Sequence, residues 1–202
     1  NKTLFKEIKK LNLGEMLTFN LNDFSFSKKR YNLLKDRINK DDFYHINGLS
    51  FEKICNKFDT LLTDSVAEHF EADAPVGIMF SAGLDSTLIA AIAKKCSNKP
   101  VHLFKFSSEN LKDDKLAKDF AEKFNMKLIE VKSSAEEMLL DLPKIIYHYE
   151  TINKCEGPAL GKTCKIAKEH GFKALLTGDA SDELFGGYYS QQSFLLRTFI
   201  QN

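Results

Sequence analysis

What this 202-residue chain lacks narrows its class before any motif is read. An excess of one charge is missing: 29 basic residues stand against 28 acidic ones, with no long block of either sign. Nucleic acid and anionic membrane are therefore not expected partners. Paired cysteines are missing too. Cys55, Cys96, Cys155 and Cys164 are scattered without a CxxC, and the five histidines make no metal spacing with them, which argues against a zinc framework. The thiols read as buried or free in a reducing cytosol. Cys155, near a turn but with no paired histidine, does not read as a nucleophile. No apolar run approaches the length needed to span a bilayer, and no signal-peptide core follows the basic N terminus, so a soluble, cytoplasmic protein is expected. Repeats and low-complexity tracts are absent. A hydrophobic content of 43% is enough for one well-filled domain with a small appendage.

Two common phosphate loops are also missing, GxxxxGK[ST] and GxGxxG. What is present instead is Val76 to Ser86, VGIMFSAGLDS. Val76 to Phe80 has the composition of a strand buried on both faces, and Ser86 to Lys95 carries apolar residues at helical spacing. A strand, a tight loop and a helix start follow one another. The unpaired amides and the dipole of a helix start favour phosphate, and Ser81 and Ser86 add hydroxyls. Asp85 repels phosphate unless a cation such as Mg²⁺ lies between them, which points to a nucleotide bound with its metal. A second stretch, Lys173 to Tyr189 (KALLTGDASDELFGGYY), repeats the pattern of strand, glycine turn and acidic helix start.

The first loop, Ser81, Ala82, Gly83, Leu84, Asp85, Ser86, resembles the SGGxDS loop of the PP-loop ATP pyrophosphatases, with alanine at the first glycine. The second stretch resembles the LSGEGADELFGGY segment in the synthetase domain of glutamine-dependent asparagine synthetases. With DAPVG ahead of the first loop, the resemblance covers roughly Phe51 to Tyr189, and more weakly reaches back to Lys6.

In chain order, Lys6 to Asn20 reads as a hairpin bending near Leu13 and Gly14, and residues 21 to 48 as a linker or loosely packed segment. Ser50 caps a core-facing helix from Phe51 to Phe70. After the first loop and its helix come a strand at Val101 to Phe106, a helix at Asp114 to Phe124 and a strand at Met126 to Val131. Ser133 or Ser134 caps a further helix that Pro143 divides or follows with a new one, running to about Glu150. A helix from Lys162 to His170 stops at Gly171, and Lys173 to Thr177 is the fourth strand. The alternation implies right-handed βαβ units: an α/β fold with a parallel sheet and helices on both faces. Both acidic bends then leave the carboxyl edge, where ligands bind in such sheets.

The resemblance implies an adenine nucleotide alpha hydrolase-like fold of the PP-loop type and an ATP-dependent amide synthetase, with ATP and Mg²⁺ at the site. Its substrate is a carboxylate acceptor such as aspartate, adenylated for attack by ammonia from a glutaminase domain. A relative acting on a sugar acid, a peptide or a β-lactam precursor, and an ATP-binding module inactive on its own, stay open. Phe80, Ser81, Ala82, Gly83, Leu84, Asp85, Ser86, Phe106, Thr177 and Gly178 match the nucleotide-binding positions, although core packing is the ordinary role of both phenylalanines. Asp85 and Asp182 match the metal ligands. Asp179, where many relatives carry glutamate, and Glu183 are the catalytic candidates. Satisfying a helix dipole is the ordinary role of any one of these acids alone. Because the rest of the first loop is intact, position 82 is expected to have ordinary φ and to leave ATP binding in place.

KEIKKLNLGEMLTF resembles the connector between a glutaminase and a synthetase domain, so residues 1–50 are assigned to that connector and a linker, and 51–202 to the nucleotide-binding part. The cysteine that opens such a glutaminase domain is not among these residues, and the resemblance implies that the late half of the synthetase domain, with a lysine acting on the intermediate, lies beyond Asn202. A fragment or a shortened relative is expected.

Overall fold

The computed structural model describes residues 3, 5–37, 39–107, 111–150 and 157–193. The chain divides into two units, Asn1–Asp59 and Thr60–Asn202. In the first, strand β1 (Glu15–Phe19) pairs antiparallel with β2 (Phe26–Arg30), from Glu15 opposite Arg30 to Phe19 opposite Phe26. The bend lies at residues 20–25, downstream of the alternating stretch rather than at Leu13 and Gly14. Short polar side chains build it: Asn20 Oδ1 accepts the Asn22 amide at 2.9 Å, and Asp23 Oδ1 accepts the Ser25 amide at 2.9 Å. The segment expected to be a linker or loosely packed carries β2, a 3₁₀ turn (Leu34–Arg37) and helix α1 (Lys40–Asn47), capped by the Asn39 side chain, and none of its described residues is buried. Helix α2 (Phe51–Phe70) begins at Ser50, whose Oγ accepts the Lys53 amide, and runs on into the second unit.

The second unit is built on a four-stranded, wholly parallel sheet. Its strands are β3 (Val76–Met79), β4 (His102–Ser107), β5 (Lys127–Lys132) and β6 (Ala174–Leu176), in the order β5-β4-β3-β6. The two central strands are covered on both faces, with Ile78, Leu103 and Phe104 fully buried and Lys105 of β4 buried beside them. Helices α3 (Leu84–Cys96) and α4 (Leu111–Lys123) carry the sheet from β3 out to β5. Helices α5 (Ala135–Tyr149) and α6 (Gly157–Glu169) bring the chain back, so that β6 pairs on the other side of β3. With right-handed crossovers, building outward and then returning covers both faces, as expected for this α/β class. Ile78, Phe80, Ala90, Ala93, Leu103, Ala117 and Ala121 form the main cluster, with Leu62, Val66 and Phe70 of α2 packed into it.

Pro143 neither divides α5 nor starts a new helix; α5 runs through it from Ala135 to Tyr149. Proline removes one helical donor. A capping box offsets that loss at the start, where Ser134 Oγ accepts the Glu137 amide while Glu137 Oε2 accepts the Ser134 amide. Lys162 of α6 then bonds Glu137 Oε2 at 2.7 Å and Ser133 Oγ at 3.0 Å, tying the two helices. Helix α6 begins at Gly157 rather than Lys162, with Pro158 in its first turn, where a missing amide costs nothing.

Candidate nucleotide site

The pairing of β3 with β6, Val76 opposite Ala174 through Ile78 opposite Leu176, makes the bends at their carboxyl ends neighbours. In the first bend, Phe80 continues the pairing by donating its amide to Phe104 O at 2.9 Å. Its ring is buried against Phe120, centroids 5.2 Å apart. The hydroxyls of Ser81 and Ser86 lie 3.0 Å apart, Ser81 Oγ accepts the Gly83 amide at 3.1 Å, and Ser86 Oγ donates to Gly83 O at 3.3 Å. The two serines close the loop into a ring that presents the start of α3. Its first intrahelical bond runs from the Thr87 amide to Gly83 O, so the amides of Leu84, Asp85 and Ser86 precede the helical ladder.

The expectation of an ordinary φ at position 82 is wrong. Ala82 has φ +66°, in the left-handed region, whereas Gly83 has an ordinary φ of −76°. The serine ring leaves few residues in which to turn from strand to helix, and the reversal falls on Ala82.

The second bend repeats this local solution. Ala180 has φ +74° and precedes the short helix α7 (Ser181–Phe185). Thr177 Oγ1 accepts the Asp179 amide at 3.4 Å. Gly178 lies against the first turn of α3, where a Cβ would stand 3.0 Å from Asp85 Cβ and 3.4 Å from the Ser86 amide nitrogen. Gly187 lies so close to Asp182 that a Cβ there would collide with its carboxylate. Across 96 residues of sequence, Ser181 Oγ donates to Asp85 Oδ1 at 2.8 Å. Tyr188 Oη donates to Glu183 Oε1 at 2.9 Å.

Together the bends wall a cavity of about 650 Å³, a size suited to a small ligand. Phe80, Ser81, Gly83, Asp85, Ser86, Phe106, Thr177, Gly178, Asp179, Asp182 and Glu183 line it. Ala82 and Leu84 do not: Ala82 packs against the core cluster, and Leu84 is 83% exposed. Tyr149, Tyr188, Thr163 and the first turn of α6 complete the wall. Of these, Tyr188 lies within the second acidic stretch and the start of α6 has a local trace in Pro158, whereas Tyr149 and Thr163 have no signal in the sequence. A wider trough of about 1000 Å³ along α4, β5 and α5 contains no candidate residue and is lined by charges such as the Lys118–Glu130 pair at 3.2 Å.

Behind Phe106, the buried Lys105 ammonium lies 3.1 Å from Asp114 Oδ1 and donates to Phe106 O at 3.3 Å. Ser107 Oγ donates to Asp114 Oδ2 at 2.5 Å. That hydroxyl, aided by Lys105, holds the Asp114 carboxyl below its ordinary value. The cluster fixes the end of β4 where Phe106 meets the cavity.

Among the described residues, no group of three or more His, Cys, Asp or Glu is arranged to hold a metal unaided. Two carboxylates at one cavity suit Mg²⁺, which keeps its waters and is commonly held by one or two carboxylates together with substrate phosphates. Asp85 and Asp182 are hard oxygen donors of that kind. Cys55 and Cys164 are exposed and Cys96 half-buried, all three free thiols; Cys155 lies outside the described residues. No helix among the described residues is long and apolar enough to cross a membrane.

Residues 57–201 match the family described as asparagine synthase. Asparagine synthetase B (glutamine-hydrolyzing) of Escherichia coli K12 is 30% identical over 169 residues, covering 72% of this chain and 30% of the relative. Asparagine synthetase (glutamine-hydrolyzing) 1 of Bacillus subtilis 168 is 33% identical over 142 residues, 68% of this chain and 22% of that protein. A putative asparagine synthetase of Methanocaldococcus jannaschii is 30% identical over 189 residues, 92% of this chain and 33% of the relative. The chain thus spans a third or less of the length of these relatives. The family's motifs fall on the two bends that meet at the cavity, and its match covers most of the parallel-sheet unit: this chain belongs to the asparagine synthase family.

Proposed function

We propose that this chain carries the ATP-binding part of an amide synthetase that adenylates an aspartate-like carboxylate for attack by ammonia. The observation that carries the reading is the meeting of two remote acidic bends in one cavity at the carboxyl edge of adjacent parallel strands. The Ser81–Ser86 ring and the amides of Leu84, Asp85 and Ser86 receive the phosphates. Phe106, held by the Lys105–Asp114 cluster, and Thr177 and Gly178 flank the nucleoside. Asp85 and Asp182 would hold Mg²⁺, which neutralises the charge of the pyrophosphate leaving group.

The acceptor carboxylate attacks the α phosphorus; an O–P bond forms, the bridging bond between the α and β phosphates breaks, and pyrophosphate leaves. Asp179 stands at the exposed mouth of the bend, where it orients the attacking group. Glu183 keeps a fixed orientation through the Tyr188 hydroxyl. Ammonia then attacks the acyl carbon and displaces AMP. In the relatives' names the nitrogen source is glutamine, which implies a glutaminase domain as partner. The free thiols fit a reducing, cytoplasmic setting.

Exchange of labelled pyrophosphate into ATP tests the reading. Exchange that requires both Mg²⁺ and aspartate is expected. Binding of ATP without exchange under any acceptor would overturn the catalytic reading.

A further inference from the structure

Outside the positions that the resemblance assigns, Ser181 is the residue that joins the two bends. Its hydroxyl donates to Asp85 Oδ1 at 2.8 Å, and both residues are half-buried. Among the described residues, Asp85 Oδ2 has no protein donor. The bond therefore engages one oxygen of the carboxylate and leaves the other for a ligand. Gly178, against Asp85 Cβ, keeps the two backbones close enough for so short a side chain to reach.

The substitutions on either side give the bond a reason. In the resembled motifs, SGGxDS and LSGEGADELFGGY, glycine stands at positions 82 and 180 and alanine at 181. Here alanine occupies both glycine positions, each with positive φ, and serine takes the third. Each bend thus holds a residue that disfavours its conformation, while a hydroxyl ties the bends to each other.

We propose that Ser181 is a positioning residue for Asp85, holding its carboxylate in one orientation at the cavity wall so that the free oxygen meets the cation accompanying the nucleotide. The proposal rests on the nucleotide reading above. A side chain that orients a ligating carboxylate typically affects metal affinity about 10- to 100-fold. It leaves contacts with the rest of the ligand alone.

The test is calorimetric titration of ATP into the full 202-residue chain, once with Mg²⁺ and once with EDTA, for the unaltered protein, Ser181→Ala, Ser181→Cys and Ser181→Thr. Alanine occupies this position in the resembled motif, so Ser181→Ala is compatible with the fold, and cysteine provides a second variant of nearly the same size with a weak donor. Ser181→Ala and Ser181→Cys are expected to weaken binding at least tenfold with Mg²⁺ and leave the EDTA titration unchanged, with Ser181→Thr restoring the Mg²⁺ value. Equal weakening in both titrations, or no change in either, would overturn the positioning role while the nucleotide reading stands. An unaltered chain that binds ATP in neither titration would overturn both.

Discussion

Ala82 and Ala180 share a backbone conformation and differ in what their methyl groups touch, and that difference decides what glycine would do at each. A left-handed alanine is strained by roughly 1–2 kcal/mol. Replacing it with glycine returns about 0.5–1 kcal/mol of this to the unfolded chain as entropy. At Ala180, which is exposed, the remainder is a net gain. At Ala82 the methyl packs on the core cluster, and losing it removes up to about 0.8 kcal/mol of burial. Ala180→Gly is therefore expected to stabilise by about 0.5–1 kcal/mol, and Ala82→Gly to change stability by less than about 0.5 kcal/mol, read as shifts of the urea midpoint. Equal shifts would show that the Ala82 methyl contributes nothing to the core. The motif located residue 82 but not its φ, because conformation there depends on the serine ring closing around it. That Asp85 and Asp182 meet at one cavity was legible for the opposite reason: each stands at an acidic helix start after a strand, a pattern of residue type and local spacing. Ser181 lay inside a quoted motif, yet its bond to Asp85 spans 96 residues and leaves no local trace.

The same division appears among elements. Apolar periodicity located β3, α3, β4, α4, β5 and β6, because each buries a stripe or a face. It missed β2, which alternates no apolar residues and is exposed throughout, and so the hairpin was assigned the wrong bend. The cap of α5 at Ser134 and its end near Glu150 were legible, but not its continuity through Pro143, where tertiary ties such as Lys162 to Glu137 accompany the unbroken helix. One of those ties titrates. The Lys162 ammonium, with Ser133 and the Ser134 amide, holds the Glu137 carboxyl at about 2, below its ordinary 4.5. A carboxylate with a depressed folded value adds stability above its unfolded value and loses it as pH falls through the folded one. The α5–α6 tie should therefore weaken from about pH 4.5 down to about pH 2. Glutamine preserves the capping box but removes the charge. Urea midpoints measured between pH 6 and pH 2.5 are expected to fall less steeply for Glu137→Gln than for the unaltered chain. Because Glu137 is more than half exposed, added salt should shrink the difference. Parallel pH profiles would show that the contact does not link the helices in solution.

At the scale of the whole molecule, the cavity exists only when the sheet is complete. Its walls come from residues as far apart as Met79 and Tyr188, and β6, which carries the second bend, pairs with β3 only after the chain has built outward to β5 and returned. Such a site cannot be held by a partly folded chain, since removing β6 from β3 separates Ser181 from Asp85. A ligand that binds there binds only the folded state, and its affinity adds directly to the free energy of unfolding. On the nucleotide reading, ATP with Mg²⁺ at a hundred times its dissociation constant should stabilise the chain by about 2.7 kcal/mol. For a chain of this size, that corresponds to a rise of about 5–10 °C in the melting temperature. The rise should depend on both acidic bends: Asp85→Asn and Asp182→Asn should each abolish most of it while leaving the ligand-free melting temperature within a few degrees. If Asp85→Asn removed the rise and Asp182→Asn kept it whole, the cavity would be a one-sided phosphate loop, and the second bend would serve only to close the sheet.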